Sequence, residues 1–438
     1  MKHLILGAGP AGVIAAETIR KHAPADTITI VGDEPEAPYS RMAIPYLLIG
    51  DIDEGGTHLR HTNDHYQKLR IELQRGRAVR VDAQARQVSL DDGRVLDYDR
   101  LLIATGSSPA TPPIPGIAGA GVHACWTLAD ARAIMAAAKP GARVLQMGAG
   151  FIGCIILEAL ATRGVKLSVV EMGDRMVPRM MGPTAGGMIK AWCETKGVEV
   201  HTGARVEAIE RTEPGLLGKI ASAVGLGHGD AHAPMKVRLS NGSVLDADLV
   251  ITATGVKPNI GFLEHSGIRA LVGVLTDEHL ETNVKGVYAA GDCAEAFDLI
   301  SGKTIVSAIQ PNAAEQARVA GLNMAGKRAE LRGVTQINVL DTLGLISASF
   351  GMWEGVKGGQ HAELTTKDRH LSLQFDGDRL VGCNAIGWTE HVGVMRGLVE
   401  GQVRLGDWKD KLLADPTLLM EAYLACAQAQ HEHALVRA

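Results

Sequence analysis

Hydrophobic and polar positions alternate in blocks that repeat along the chain. An apolar run, Leu4-Ile5-Leu6, stops at the glycine-rich Gly7-Ala8-Gly9-Pro10-Ala11-Gly12. The pattern then predicts a helix over Ala11–Lys21 and a strand over Thr27–Val31, which makes one strand–helix–strand unit. A second block has the same texture. Val144-Leu145-Gln146-Met147 stops at Gly148-Ala149-Gly150-Phe151-Ile152-Gly153, a helix is predicted over Ile152–Arg163, and a strand over Lys166–Val170 ends at Glu171. Further buried strands are expected at Leu101-Leu102-Ile103 and Leu249–Ala253, each closed by a Thr-Gly pair. Between the blocks, Ala78–Val95 reads as a hairpin around Asp91-Asp92-Gly93, Asp33 to about Pro45 as a loop, and Pro109–Gly116 as a crossover linker. Val198–Glu210 and Met235–Leu239 read as two antiparallel strands flanking an insertion, and a helix is expected over Ala313–Met324. Beyond Thr335 the texture becomes alternating strands at Ile337–Val339, Leu345–Phe350, Leu371–Phe375 and Leu380–Ala385. Asp415-Pro416 reads as the start of a last helix running to about Gln430. The fold class expected is α/β, with two Rossmann-like dinucleotide-binding domains followed by an α+β module.

Composition narrows the classes. At 438 residues, 46% apolar and 21% charged, the chain can bury several cores and is not a disordered polymer. A net charge of −5 without a long basic run argues against nucleic-acid binding. No apolar stretch has membrane-spanning length, and no secretory leader is read at the N-terminus. The six cysteines, Cys125, Cys154, Cys193, Cys293, Cys383 and Cys426, are scattered without C-x-x-C spacing. That usage fits a reduced, cytoplasmic protein and predicts neither a disulfide framework nor a metal site.

Each G-x-G-x-x-G follows a strand and opens a helix, a setting in which backbone N–H groups and a helix N-terminus meet a pyrophosphate. Two such motifs, each with an acidic residue some twenty positions on, point to two dinucleotides on one chain. The motifs, with Ala104-Thr105-Gly106, Ala253-Thr254-Gly255 and Gly286-Val287-Tyr288-Ala289-Ala290-Gly291-Asp292, resemble the FAD- and NAD(P)-dependent pyridine nucleotide oxidoreductases. The nearest in look are the NADH oxidase, coenzyme A-disulfide reductase, rubredoxin and ferredoxin reductase and nitrite reductase flavodomain branches. The resemblance covers about residues 1–400. It implies an FAD domain in two parts (1–115 and 249–328) around an NAD domain (116–248), then an interface domain (329–405) that builds a homodimer, and a helical tail (406–438).

The resemblance also assigns roles. Gly7, Gly9, Pro10, Ala11 and Gly12 would receive the FAD pyrophosphate. Asp33, with Glu34 as its neighbouring competitor, would accept from the adenosine ribose, and Arg41 would pair with a phosphate. Val79, Ala104, Thr105, Gly106, Gly291, Asp292 and Pro311 complete the FAD set, with Asp292 accepting from a ribityl hydroxyl. The helix start at Gln310-Pro311-Asn312 would stabilise negative charge on the reduced ring. Gly148, Gly150, Phe151, Ile152, Gly153, Glu171 and Gly255 form the NAD set. A carboxylate at Glu171 bonds the 2′-hydroxyl of NAD and repels the 2′-phosphate of NADP, although Arg175, four positions on, could compensate.

Beside the flavin the chain departs from the family. Met42 stands where one branch has a redox cysteine, and a thioether forms no thiolate or mixed disulfide. Tyr46 and Ile155 stand where another branch has a lysine and its glutamate. Losing both partners together strands no buried charge, which would cost about 3–5 kcal/mol. Packing could simply replace the pair, or the flavin could gain a less polar cover; the residues leave both readings open. Met42, Tyr46 and Ile155 are the flavin-facing candidates. Glu158, one turn from Ile155, is read as a helix-surface residue with replacement of the lost glutamate as the alternative, and His391 is read as structural or interfacial.

The segment 213–234 reads as a surface helix with Leu217, Ile220 and Val224 on one face. Membrane or partner docking, if any, would use it. The function expected is an FAD-dependent NADH oxidoreductase without cysteine chemistry, reducing a small redox protein. The alternatives are a small-molecule acceptor such as oxygen or a quinone, and an NADH-sensing flavoprotein.

Overall fold

The structure is a computed structural model and describes residues 1–62, 64–211 and 234–426. The segment read as 213–234, and the end of the last helix beyond residue 426, lie outside the described residues except for Pro234. The chain forms two units. The first is Met1–Ala43, Ile52–Ser108 and Val256–Thr335; the second is Ile44–Asp51, Pro109–Gly255 and Gln336–Ala438.

The first unit is built on a five-stranded parallel sheet. Its order is Val287–Ala289, Arg100–Ile103, Lys2–Leu6, Thr27–Gly32, Ile71–Arg75. Continuous apolar runs suit strands covered on both faces, and Ile5, Leu6, Leu101, Leu102 and Ile103 are fully buried. Each such side chain contributes about 1.5–3 kcal/mol. The helix Pro10–His22 lies against the helix Gln310–Met324. Small residues permit this: a Cβ on Gly321 would lie 3.0 Å from the Ala15 carbonyl oxygen. The hairpin expected around Asp91-Asp92-Gly93 is present, Gln87–Leu90 with Val95–Asp97, and a third strand, Ala78–Asp82, extends it into a meander. The residues read as a loop up to Pro45 contain the helical turn Arg41–Ala43 and the start of the helix Ile44–Ile49.

The second unit repeats this plan. Its parallel sheet runs Glu199–Thr202, Lys166–Glu171, Arg143–Met147, Leu249–Thr252, Val122–His123. A meander follows here too, made of Val206–Arg211, Met235–Leu239 and Val244–Ala247. The single strand expected at Val198–Glu210 is therefore two strands in different sheets. Gly203, with φ +66°, turns the chain between them. Leu249–Thr252 pairs with Arg143–Met147, so the chain leaves this unit after Gly255 and not at 248. The chain also changes unit after Ser108 and Thr335, not after 115 and 328, and crosses twice more around Ile44–Asp51.

The same unit carries a five-stranded antiparallel sheet, Ile337–Thr342, Leu345–Gly351, Arg379–Ile386, His370–Asp376, Gln360–Thr365. Its first strand packs on the helix Phe151–Thr162, and Trp192 Nε1 donates to the Leu343 carbonyl at 3.1 Å. Helices Val392–Glu400 and Trp408–Ala414 follow. The last helix begins at 419, three residues beyond Asp415-Pro416.

Candidate dinucleotide sites

The two glycine loops share one geometry. The Gly7 N–H donates to the Val31 carbonyl, and the Gly148 N–H to the Val170 carbonyl, both at 2.8 Å. Gly7 (φ +117°) and Gly148 (φ +97°) adopt backbone that a side chain disfavours. A Cβ there would overlap the carbonyl oxygen of Ala104 or Ala253. A Cβ on Gly12 or Gly153 would run into the carbonyl of Gly7 or Gly148, the contact that lets each helix sit close to its strand. Gly9 and Gly150 differ from these four. Both cap their helices with ordinary extended backbone, and a Cβ on either meets no atom within 4 Å. The chain's own packing does not require glycine there, whereas a pyrophosphate resting on the loop does. Pro10 and Ala11 open the first helix, Phe151 and Ile152 the second.

In the first unit, Asp33 is exposed and paired with Arg77, Oδ2 lying 2.9 Å from Nη2. It borders a cleft of 280 Å³ lined by Asp33, Arg75, Gly76, Arg77, Asp91 and Asp92. Glu34 is taken by Arg41 and by the Tyr39 hydroxyl, each at 2.5 Å, so Arg41 and Glu34 form a pair beside the strand end. Register makes Gly32, not Asp33, the positional counterpart of Glu171, because Leu6 pairs with Val31 as Met147 pairs with Val170. Val79 is exposed on the meander. Ala104 is buried, and the Thr105 hydroxyl donates to the Asn259 carbonyl at 2.7 Å. Gly106 turns with φ +65°. Asp292 accepts from the Ser107 hydroxyl at 2.8 Å. Burial pushes its carboxyl above the ordinary range, while that hydrogen bond and the nearby Arg41 charge act against the rise. The preceding Gly291 N–H donates to Gln316 Oε1 at 2.7 Å. Pro311 sits in the first turn of its helix, where a missing N–H costs nothing.

In the second unit, both Glu171 oxygens are engaged by the backbone. Oε2 accepts from Ala149 N–H at 2.7 Å and Oε1 from Gly173 N–H at 2.8 Å. A carboxylate has about four acceptor sites, so two remain for a ribose diol. The Arg175 guanidinium is already engaged. Its Nε donates to the Met181 carbonyl at 2.8 Å, another nitrogen to the Pro178 carbonyl, and a third to Asp174. Gly255 turns with φ +100°, and its carbonyl accepts from Ala110 N–H.

Sequence reasoning missed two residues here. Gln146, fully buried, donates from Nε2 to the carbonyls of Gly148 and Gly153, each at 2.9 Å. Its counterpart in the first unit is Ile5. Val177 is fully buried at φ +50°, a strained conformation for a β-branched residue costing about 1–3 kcal/mol, and its N–H donates to the Ala149 carbonyl at 2.8 Å. The one sequence signal for Gln146 was a polar side chain in an apolar strand.

The flavin-facing candidates divide between the units. Met42 lies in the first, 46% exposed. Tyr46, 56% exposed, and Ile155, half-buried, lie in the second, on helices that pack together. Glu158 faces Asp341 and Leu343 of the antiparallel sheet; burial raises its carboxyl, and the Asp341 charge adds to the rise. The His391 Nδ1 and Trp388 Nε1 atoms are buried without a hydrogen-bond partner among the described residues. All six cysteines are buried as free thiols. Burial pushes Cys125 and Cys193 up to about 12, and Cys154 and Cys383 higher.

A profile of the pyridine nucleotide-disulphide oxidoreductases matches residues 1–321. The chain belongs to that family. It is an oxidoreductase whose cofactors are FAD and NADH. Over 424 residues, 95% of each chain, it is 30% identical to the NADH-dependent phenylglyoxylate dehydrogenase subunit epsilon of Aromatoleum evansii. It is 32% identical over 294 residues, 67% of each chain, to the ferredoxin–NAD(+) reductase component of the p-cumate 2,3-dioxygenase system of Pseudomonas putida. The structure of a NAD-dependent persulfide reductase from A. fulgidus matches with a TM-score of 0.83 and 26% identity, covering 93% of this chain and 78% of that one. No described helix is long and apolar enough to cross a membrane.

Proposed function

We propose that the chain carries reducing equivalents between NADH and a small redox protein through one FAD, with no thiol taking part. The open Cβ positions of Gly9 and Gly150 carry this reading. They leave room for one pyrophosphate on each loop, FAD on the first and NADH on the second. When bound, the flavin supplies the hydride chemistry and the change from two electrons to one. The residues bind and orient. The first loop and Gly291 hold FAD, Asp292 takes a ribityl hydroxyl, and Asp33 or Glu34 takes the adenosine ribose. Arg41 approaches a phosphate, with Val79, Ala104, Thr105, Gly106 and Pro311 bordering the same cofactor. Gly148, Gly150, Phe151, Ile152, Gly153 and Gly255 cradle NADH, and Glu171 favours it over NADPH. A thioether at Met42 and six buried thiols support chemistry without a cysteine.

The protein acceptor is supported by the ferredoxin–NAD(+) reductase relative. A second reading is favoured by the relative matched over 95% of both chains: the redox partner is a subunit of a larger dehydrogenase, which donates electrons through the FAD to NAD+. The protein is further proposed to act in the cytoplasm as a homodimer built through the antiparallel sheet, which light scattering tests.

Anaerobic mixing of the yellow protein with NADH, followed by air or by oxidised ferredoxin, tests the function. Rapid bleaching, slow air reoxidation and fast reoxidation by ferredoxin are expected. Fast air reoxidation would make it an oxidase. A long-lived charge-transfer state without turnover would make it a sensor. Protein that stays colourless when offered FAD would end the proposal.

A further inference from the structure

Residues 172–182 form a strap between the end of the strand Lys166–Glu171 and the helix Pro183–Thr195, and both of its ends are held. At the near end, the backbone of Ala149 is held on both sides of its Cα. Its N–H donates to Glu171, and its carbonyl accepts from Val177 N–H at 2.8 Å. Within the strap, Met180 and Met181 N–H both donate to the Val177 carbonyl, and the Arg175 guanidinium closes on the carbonyls of Pro178 and Met181. The far end is held from the antiparallel sheet. Asn384, on Arg379–Ile386 and 2% exposed, accepts from Gly182 N–H at 2.8 Å and donates to the Met180 carbonyl at 2.9 Å. One carboxamide thus satisfies a part-buried donor and a buried acceptor on either side of Met181.

We propose that Asn384 is a positioning residue for NADH: through the strap it holds Val177, and through Val177 the Ala149 peptide of the second glycine loop. A buried β-branched residue stays at positive φ only where its surroundings over-determine it. Glu171 and Asn384 anchor the strap's two ends, with the bond from the Gly203 N–H to the Gly173 carbonyl, 2.7 Å, a further tie near the first. With Asn384 removed, Val177 relaxes toward ordinary backbone, its N–H swings off Ala149, and the loop meets the pyrophosphate less well. Asn384 touches no cofactor in this scheme, so its effect falls on affinity rather than on the chemical step. The inference rests on the proposal that the second loop binds NADH.

The test uses the FAD-loaded full-length protein. Asn384→Leu keeps the branched outline in a larger, apolar side chain and removes the hydrogen bonds to Gly182 and Met180, along with the longer one to the Cys383 carbonyl. The KM for NADH and the Kd for NAD+ by titration calorimetry are expected to rise at least fivefold, with kcat within twofold and FAD content unchanged. Asn384→Asp keeps the acceptor for Gly182 and loses the donor to Met180; protonation restores that donor. Its KM is therefore expected to fall toward wild type as pH is lowered, which a purely structural role would not produce. A lower melting temperature with unchanged KM and Kd overturns the inference. If neither variant folds, hydrogen exchange of the wild-type holoenzyme decides. NAD+ slowing exchange in 146–153, 176–182 and 380–386 together supports it, and slowing confined to 146–153 overturns it. Wild-type protein that NADH fails to bleach would instead overturn the functional reading, so the two failures are separable.

Discussion

Alanine at Gly150 separates what the fold needs from what a ligand needs. The backbone there is φ −75°, ψ −170°, which alanine adopts freely, and its Cβ meets no atom within 4 Å. Gly150 caps the helix Phe151–Thr162 without a side-chain bond, so alanine loses about 1 kcal/mol or less of capping preference. Stiffening the unfolded chain returns about 0.4–1 kcal/mol. The two nearly cancel, and the melting temperature should stay within about 3 °C. Bound NADH would meet the new methyl where its pyrophosphate lies against the loop. The KM for NADH should rise at least about tenfold, equal to about 1.4 kcal/mol. Gly148→Ala is the contrast. At φ +97° its Cβ overlaps the Ala253 carbonyl, so strain and clash together should cost more than about 3 kcal/mol and lower the melting temperature itself. Gly9→Ala should behave as Gly150→Ala does, but with loss of FAD. Calorimetry and anaerobic stopped-flow bleaching measure both quantities. A Gly150→Ala protein with wild-type KM would show that nothing approaches that loop, and the assignment of NADH to it would fall.

Three further outcomes follow from the same geometry. Glu171→Ala removes the acceptor for Ala149 and Gly173 as well as the ribose acid, so the KM for NADH should rise about tenfold and the NADH-to-NADPH preference shrink, as paired steady-state assays would show. Asp292 holds its proton more tightly folded than unfolded, so its contribution is fully present below the ordinary carboxylate range and lost as pH rises through the folded value. FAD-free Asp292→Asn should accordingly melt at the same or a higher temperature than wild type at pH 7, with the gap closing toward pH 4 in scanning calorimetry, while binding FAD more weakly. Maleimide applied to the native protein should label few of the six buried thiols and leave NADH-driven bleaching intact; mass spectrometry counts the labels, and lost bleaching in folded, FAD-loaded protein would refute the thiol-free reading.

Both parallel sheets were legible because strand, glycine turn and helix follow one another within each block, and apolar runs mark strands buried on both faces. Shorter, half-exposed strands were not. Ile71–Arg75 carries Glu72, Gln74 and Arg75 among its five residues, and Gln360–Thr365 is mostly exposed, so neither stands out from a loop. The break at Gly203 was hidden because apolar residues continue on both sides of it. At the site, the glycines announce themselves through spacing, whereas Val177 and Asn384 act through bonds to backbone atoms far away in sequence. Nothing local distinguishes Asn384 from any other polar residue in a strand. Arg175 was open to a compensating role in the sequence alone, because the carbonyls that hold its guanidinium are brought to it only by the fold.

The contrast between Ile5 and Gln146 bears on how long each cofactor stays. A group that never departs can act as the mould for its own seat, and beneath the first loop an alkyl side chain is enough. NADH arrives and NAD+ leaves in every cycle, so the second seat must keep its shape between tenants. On the proposed assignment of FAD to the first loop and NADH to the second, the Gln146 carboxamide, pinning the Gly148 and Gly153 carbonyls, does that upkeep. Exchanging it for isoleucine would leave a loop that has to be remade at each arrival, and association should slow more than departure.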